Sequence, residues 1–159
     1  MKKKYFVIAD PHFGHENVIR YCSRPYKDIE AMNKDLVKKW NEVVTNKDTV
    51  FVLGDFAFGK ENVAKYAPLL NGHKILIKGN HDTYSNDFYR QCGFEEVSKY
   101  PIVFEFFLMS HEPLLLSDTT PYYNYYGHVH NDSKFIDNAT SKCVSLERTG
   151  YRPFCFLER

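Results

Sequence analysis

The chain has 159 residues, enough for one domain with a sizeable core and too few for a tandem array. Lys and Arg number 21 against 20 Asp and Glu, and a formal net charge of +1 excludes a polybasic protein that holds nucleic acid by phosphate neutralisation alone. With 43% hydrophobic and 16% aromatic residues the chain is not disordered, and 13 Phe and 12 Tyr predict a β-rich interior.

The start, Met1 to Lys4, is positive, but the apolar run Tyr5 to Ala9 stops at Asp10, too short for the core of a signal peptide. No stretch approaches the length of a membrane span, so a cytoplasmic protein without a membrane partner is expected. Cys22, Cys92, Cys143 and Cys155 form no C-x-x-C pair and read as free thiols, mostly packing residues.

Tyr5–Ala9 is the first of three short, nearly continuous apolar runs; Thr49–Leu53 and Lys74–Lys78 follow, as expected of central strands covered on both faces. Between the first two, Ile29, Met32, Leu36, Trp40, Val43 and Val44 recur at helical spacing, with Asp28 placed to cap the first turn. Val63, Ala64, Ala67 and Leu70 predict a shorter helix ended by Asn71-Gly72, and a third helix is expected around Ser85 to Cys92, closed by Gly93. Beyond it the pattern changes to strands at Val97–Val103, Phe106–Ser110, Tyr122–Gly127, Cys143–Leu146 and Pro153–Leu157, with loops at Ser117–Asn124 and Asn131–Asn138. An α/β first half and a mostly β second half suit two sheets packed face to face with helices outside. No linker divides the chain, so residues 1–159 read as a single domain.

Each early strand ends in a polar cluster, where the loops of an open α/β sheet converge on one crevice. The clusters are Asp10-Pro11-His12, Gly54-Asp55, Gly79-Asn80-His81-Asp82, Ser110-His111-Glu112 and Gly127-His128-Val129-His130, and they hold five of the 7 histidines. Oxygen and imidazole donors without thiolate suit Mn²⁺, Fe, Zn²⁺ or Ni²⁺ better than a structural zinc, and there are too many donors for one tetrahedral ion. His128 and His130, two apart, project on the same side of an extended segment.

In these blocks and their order, D-x-H, G-D, G-N-H-D, a lone His and G-H-x-H, the sequence resembles the calcineurin-like metallophosphoesterases, over Asp10 to His130. The resemblance implies an α/β fold of two packed mixed sheets flanked by helices, an αββα sandwich. It further implies that Asp10, His12 and His130 hold one divalent ion, that Asn80, His111 and His128 hold the other, and that Asp55 bridges them. A hydroxide shared by the ions would then attack phosphorus in line. His81 would protonate the leaving oxygen, with Asp82 orienting its ring. Mn²⁺ is the first choice of metal, with Fe, Zn²⁺, Ni²⁺ or Mg²⁺ as alternatives. Protein Ser/Thr phosphatases carry a further Asp and Arg after the second block; here it continues Asp55-Phe56-Ala57-Phe58-Gly59, which speaks against a phosphoprotein phosphatase.

For the substrate, Arg20 and Arg24 are candidates to hold phosphate oxygens, His15 is a candidate contact, and His73 reads as structural. Tyr122, Tyr123, Tyr125 and Tyr126, just before Gly127, could stack nucleobases, although most of such a stripe is usually core. The short chain leaves little room for a cap domain over the metals, so an open site accepting a nucleotide, a nucleic-acid end or another small phosphodiester is expected. The alternatives are a phosphomonoesterase of nucleotides or small metabolites, or a silent binding scaffold, which the completeness of the ligand blocks disfavours. The monomer and the homodimer both remain open.

Overall fold

Strand β1 (Lys4–Ile8) sends alternate side chains into two apolar layers, and this alternation organises the computed structural model, which describes residues 2–159. Met1, the first residue of the positively charged start, lies outside the described residues. Phe6 and Ile8 face a layer of helices, while Val7, followed by Ala9, faces a second sheet. Strand β2 (Thr49–Val52) does the same, with Val50 and Val52 on the helix side and Phe51 on the sheet side. A strand buried on both faces reads as a continuous apolar run, as this one does.

The first sheet has the order β4-β3-β2-β1-β9, with β3 at His73–Ile77, β4 at Phe94–Ser98 and β9 at Phe154–Glu158. Its neighbours are parallel except for β9, which runs antiparallel to β1. The second sheet has the order β5-β6-β7-β8, formed by Ile102–Phe104, Phe107–Met109, Tyr123–Tyr126 and Ser141–Cys143. There β5 is antiparallel to β6 and the other pairs are parallel. Both sheets are therefore mixed, and helices flank them.

Helices α1 (Glu16–Tyr21), α2 (Ile29–Val43), α3 (Lys60–Tyr66) and α4 (Asn86–Gln91) all contribute to the helix-side cluster. The Asp28 carboxylate accepts the Ala31 N–H at 2.8 Å, the cap expected for α2. Met32, Leu36 and Trp40 of α2 are each at most 3% exposed. Burial at about 1.5–3 kcal/mol for each such side chain holds the helix in place more firmly than its own propensity would.

The expected strand Val97–Val103 is two strands in two sheets. Pro101 has no N–H to give a ladder, and at Lys99–Pro101 the chain leaves β4 and crosses to β5. The expected strand Cys143–Leu146 ends at Cys143 and continues into a 3₁₀ turn at Leu146–Arg148, while α1 had no periodic signal long enough to reveal it. All four cysteines are free thiols, and Cys22, Cys92 and Cys143 are buried. Among the described residues no helix is long and apolar enough to cross a membrane.

Candidate metal centre

Asp10 follows β1, Asp55 follows β2, and Asn80 follows β3, all from the first sheet; His111 follows β6 and His128 follows β7, from the second. Five of the candidate ligands adopt left-handed backbone: φ is 57° at Asp10, 52° at His12, 52° at Asp55, 68° at His128 and 49° at His130. Such a conformation costs a non-glycine residue on the order of 1–3 kcal/mol and persists only where the surroundings impose it. Here the turns pin one another: Asp10 N–H donates to Gly54 O at 3.1 Å and His12 N–H to Asp55 O at 3.0 Å. Gly79 is required by close approach, since a Cβ there would lie 2.3 Å from Asp55 Oδ1.

Two ligand groups result. Asp10, His12 and His130 offer donor atoms within 4.8 Å of one another, and so do Asp55, His111 and His128. Asp55 Oδ2 lies 3.5 Å from His111 Nε2 and 3.7 Å from His12 Nε2, between the two groups. His111 Nδ1 faces the Leu53 carbonyl at 2.7 Å and must be the donor there, which turns the Nε2 lone pair inward. That lone pair meets Asn80 Oδ1 at 3.0 Å and His128 Nδ1 at 3.1 Å.

His111 Nε2 and Asn80 Oδ1 are then both acceptors, and two acceptors 3.0 Å apart repel unless a cation lies between them. Asp10 Oδ1 and His12 Nε2 are likewise buried without a hydrogen-bond partner. Burial pushes the Asp10 carboxyl above its ordinary value, and burial holds the His12 imidazole well below its own. The unpartnered Asp10 carboxylate oxygen beside the neutral His12 imidazole fits a divalent cation, and the two ligand groups could hold one each.

Asp82 and Arg24 depart from the roles expected of them. Asp82 Oδ2 accepts the N–H groups of Asp55 at 2.6 Å and Gly79 at 2.8 Å, and Oδ1 accepts that of Phe56 at 3.1 Å. Its carboxylate clamps the backbone of two ligand turns rather than the ring of His81, and burial pushes its pKa up to about 6. His81 is exposed; its N–H donates to Asp55 Oδ1 at 2.9 Å, and its ring stands 5.7 Å from that of His12.

Arg24 is buried and does not face the crevice as a substrate group would. Its Nη2 donates to Asp10 O at 2.7 Å, Nη1 to Pro11 O at 2.9 Å and Nε to Glu147 Oε1 at 2.9 Å, so it braces the Asp10–His12 turn from below. Glu147, which no motif marked, stands 3.1 Å from His130 Nδ1 and so directs the other ring nitrogen toward Asp10 and His12. Burial raises the Glu147 pKa, but His130 and Arg24 together hold it down at about 2. Cys22 also lies within 4.8 Å of His130 and Glu147, but Arg24 already supplies the cation that this carboxylate needs.

Arg20 is exposed on α1, with its guanidinium over the Tyr21 ring, and has no contact with the ligand groups. His15 lies at the margin, its ring 5.4 Å from that of His12 and stacked on Phe58. His73 stands outside the site, paired with Glu95. Tyr125 and Tyr126 are core residues, 7% and 2% exposed, and present no stacking face. Beyond Asn80 and His111 opens a cavity of about 460 Å³, bordered by Lys78, Lys99, Pro101 and Ser110.

A family model described as calcineurin-like phosphoesterase matches residues 3–154. An uncharacterized protein of Methanocaldococcus jannaschii is 48% identical over 90 residues, 54% of this chain and 51% of its own length. The gene 66 protein of Mycobacterium phage L5 is 35% identical over 78 residues, 46% of this chain and 37% of its own length. The matched region thus spans about half or less of these relatives. Among solved structures, a protein of unknown function from Aquifex aeolicus superposes with a TM-score of 0.76 at 23% identity, covering 96% of this chain and 95% of that one. A Pseudomonas putida nuclease superposes with a TM-score of 0.54 at 22% identity, covering 79% and 61%. At these identities the two structures share the fold.

Proposed function

The chain belongs to the calcineurin-like phosphoesterases, a family of metal-dependent phosphoester hydrolases, and from that premise we propose that it is a phosphodiesterase acting on nucleotide or nucleic-acid-type diesters. We assign Asp10, His12 and His130 to one divalent ion, Asn80, His111 and His128 to a second, and Asp55 to both, with Mn²⁺ the first choice. The observation that carries this reading is Asp55 Oδ2, buried between His12 and His111 and within 3.7 Å of both. Two divalent ions held there would neutralise phosphoryl oxygens and make water nucleophilic at neutral pH.

The remaining work falls to the protein. Asp82 fixes the Asp55 and Gly79 turns, and Arg24 with Glu147 fixes those of Asp10 and His130. His81, exposed beside Asp55 and free of a carboxylate partner on its ring, can carry a proton to the leaving oxygen. A diester is favoured over a monoester because both sides of the site are open. Asn80, His81 and His128 are exposed, and the cavity of about 460 Å³ beside Asn80 has room for a substituent.

Protein loaded with Mn²⁺ is expected to bind two ions per chain and to hydrolyse bis(4-nitrophenyl) phosphate faster than 4-nitrophenyl phosphate. At most one ion at saturation overturns the two-metal assignment, and preference for the monoester overturns the choice of substrate.

A further inference from the structure

Phe58 is 59% exposed, an apolar ring in water next to a crevice built of polar groups. It is not a loose loop side chain. Its N–H donates to Phe13 O at 2.8 Å and its carbonyl accepts the Asn62 amide at 2.6 Å. Its neighbours Phe56 and Ala57 are buried, and Ala57 pairs with Phe13 in an isolated parallel bridge. The backbone thus holds the ring out, so little conformational freedom is lost when a ligand lies on it.

Where the ring is held matters more. Phe58 stacks on His15 with centroids 5.2 Å apart and planes 15° apart, and His15 lies 6.4 Å from His81, the proposed proton donor. Two ring-to-ring steps therefore lead from His81, beside the ligand groups, to the open face of Phe58. Of the other exposed aromatics, Tyr21 is paired with Arg20, Tyr100 with Lys99 and Phe106 with Tyr122, and Phe135 makes no ring contact with the site histidines.

We propose that Phe58, backed by His15, is a stacking shelf for the nucleobase adjoining the scissile phosphodiester. The proposal deepens the reading of the site as a diesterase for nucleotide-type substrates and rests on it. Stacking on an aromatic ring accepts any base, so the shelf selects nucleotides over other diesters without reading sequence.

The protein has a single tryptophan, Trp40, which is 1% exposed, so a Phe58→Trp variant places one solvent-facing reporter on the shelf. The Mn²⁺-loaded variant is titrated with a slowly cleaved phosphorothioate oligothymidylate and with an abasic phosphorothioate strand of equal charge. Quenching is expected with the thymidylate and not with the abasic strand. Phe58→Leu, which keeps an apolar side chain on the same pinned backbone, should raise the Kd of the thymidylate about 5- to 150-fold and leave the abasic strand unchanged. Equal binding of both strands, equal losses in Phe58→Leu, or a concentration-dependent dimer that Phe58→Leu abolishes would overturn the shelf. Hydrolysis of bis(4-nitrophenyl) phosphate with no discrimination between strands removes the shelf and leaves the diesterase; discrimination without hydrolysis of any diester does the reverse.

Discussion

Arg24 and Glu147, 123 positions apart in the chain, form an ion pair with Nε 2.9 Å from Oε1, their side chains 0% and 4% exposed. A buried pair of this kind is costly to break, because whichever partner remains keeps its charge without a counter-ion. Arg24→Met should destabilise the protein by about 3–5 kcal/mol in urea titration. Glu147→Gln, which keeps the shape and leaves Arg24 its bonds to Asp10 and Pro11, should cost less. Equal losses would mean that the two carbonyl contacts contribute nothing.

Asp82→Asn tests the clamp on the ligand turns. An amide cannot accept all three N–H groups, and whichever way it flips its NH₂ faces at least one donor. A loss of about 1–3 kcal/mol is expected from the orphaned backbone donors, together with weaker retention of Mn²⁺ on dialysis. Full metal content with unchanged stability would return Asp82 to a minor capping role.

His81→Ala and Asp55→Asn should separate the proton donor from the bridging ligand. His81→Ala is expected to lower turnover about 10²- to 10⁴-fold with both ions kept. Asp55→Asn should lose turnover and metal together. Equal metal loss in the two variants, measured by elemental analysis, would remove His81 from the acid role.

Asp48 makes the acid limb of stability measurable away from the metals. Burial tends to raise its pKa, but the N–H and hydroxyl of Thr45 and the N–H of Lys4 donate to its carboxylate and hold it below the ordinary 3.8. A depressed folded-state pKa contributes stability that is present above the unfolded value and is lost as pH falls through the folded one. Asp48→Asn should therefore flatten the decline in unfolding free energy between about pH 4 and the acid end. An unchanged slope in denaturation at stepped pH would assign that limb to other carboxylates.

How much was legible in the sequence follows from how local each signal is. Asp10-x-His12, Asn80-His81 and His128-x-His130 are written in adjacent residues because each lies at one strand end, but the extended segment expected at His128 and His130 is a turn with left-handed backbone at both, which sends the two rings to different ligand groups. The Arg24–Glu147 pair had no such trace: it joins the start of the chain to its end, and Arg24 alone looks like any loop arginine. Asp82 sits in the right block, but only the folded turn shows that its oxygens meet backbone N–H groups instead of the His81 ring. Aromatic density before Gly127 marked the interior of the second sheet, whereas the exposed ring at the crevice was a single Phe58 inside an apolar run. The long strand expected at Val97–Val103 failed because periodicity does not show which sheet a residue joins, although Pro101 marked the break.

Asp10, Asp55 and Asn80 stand on one sheet and His111 and His128 on the other, so the candidate centre straddles the seam between them. Ions bound there would act as rivets through two plates, and their affinity would gauge how firmly the plates are docked. Trimming Tyr125 or Met109, buried residues in that seam with no ligand role, would be felt first as leaking metal.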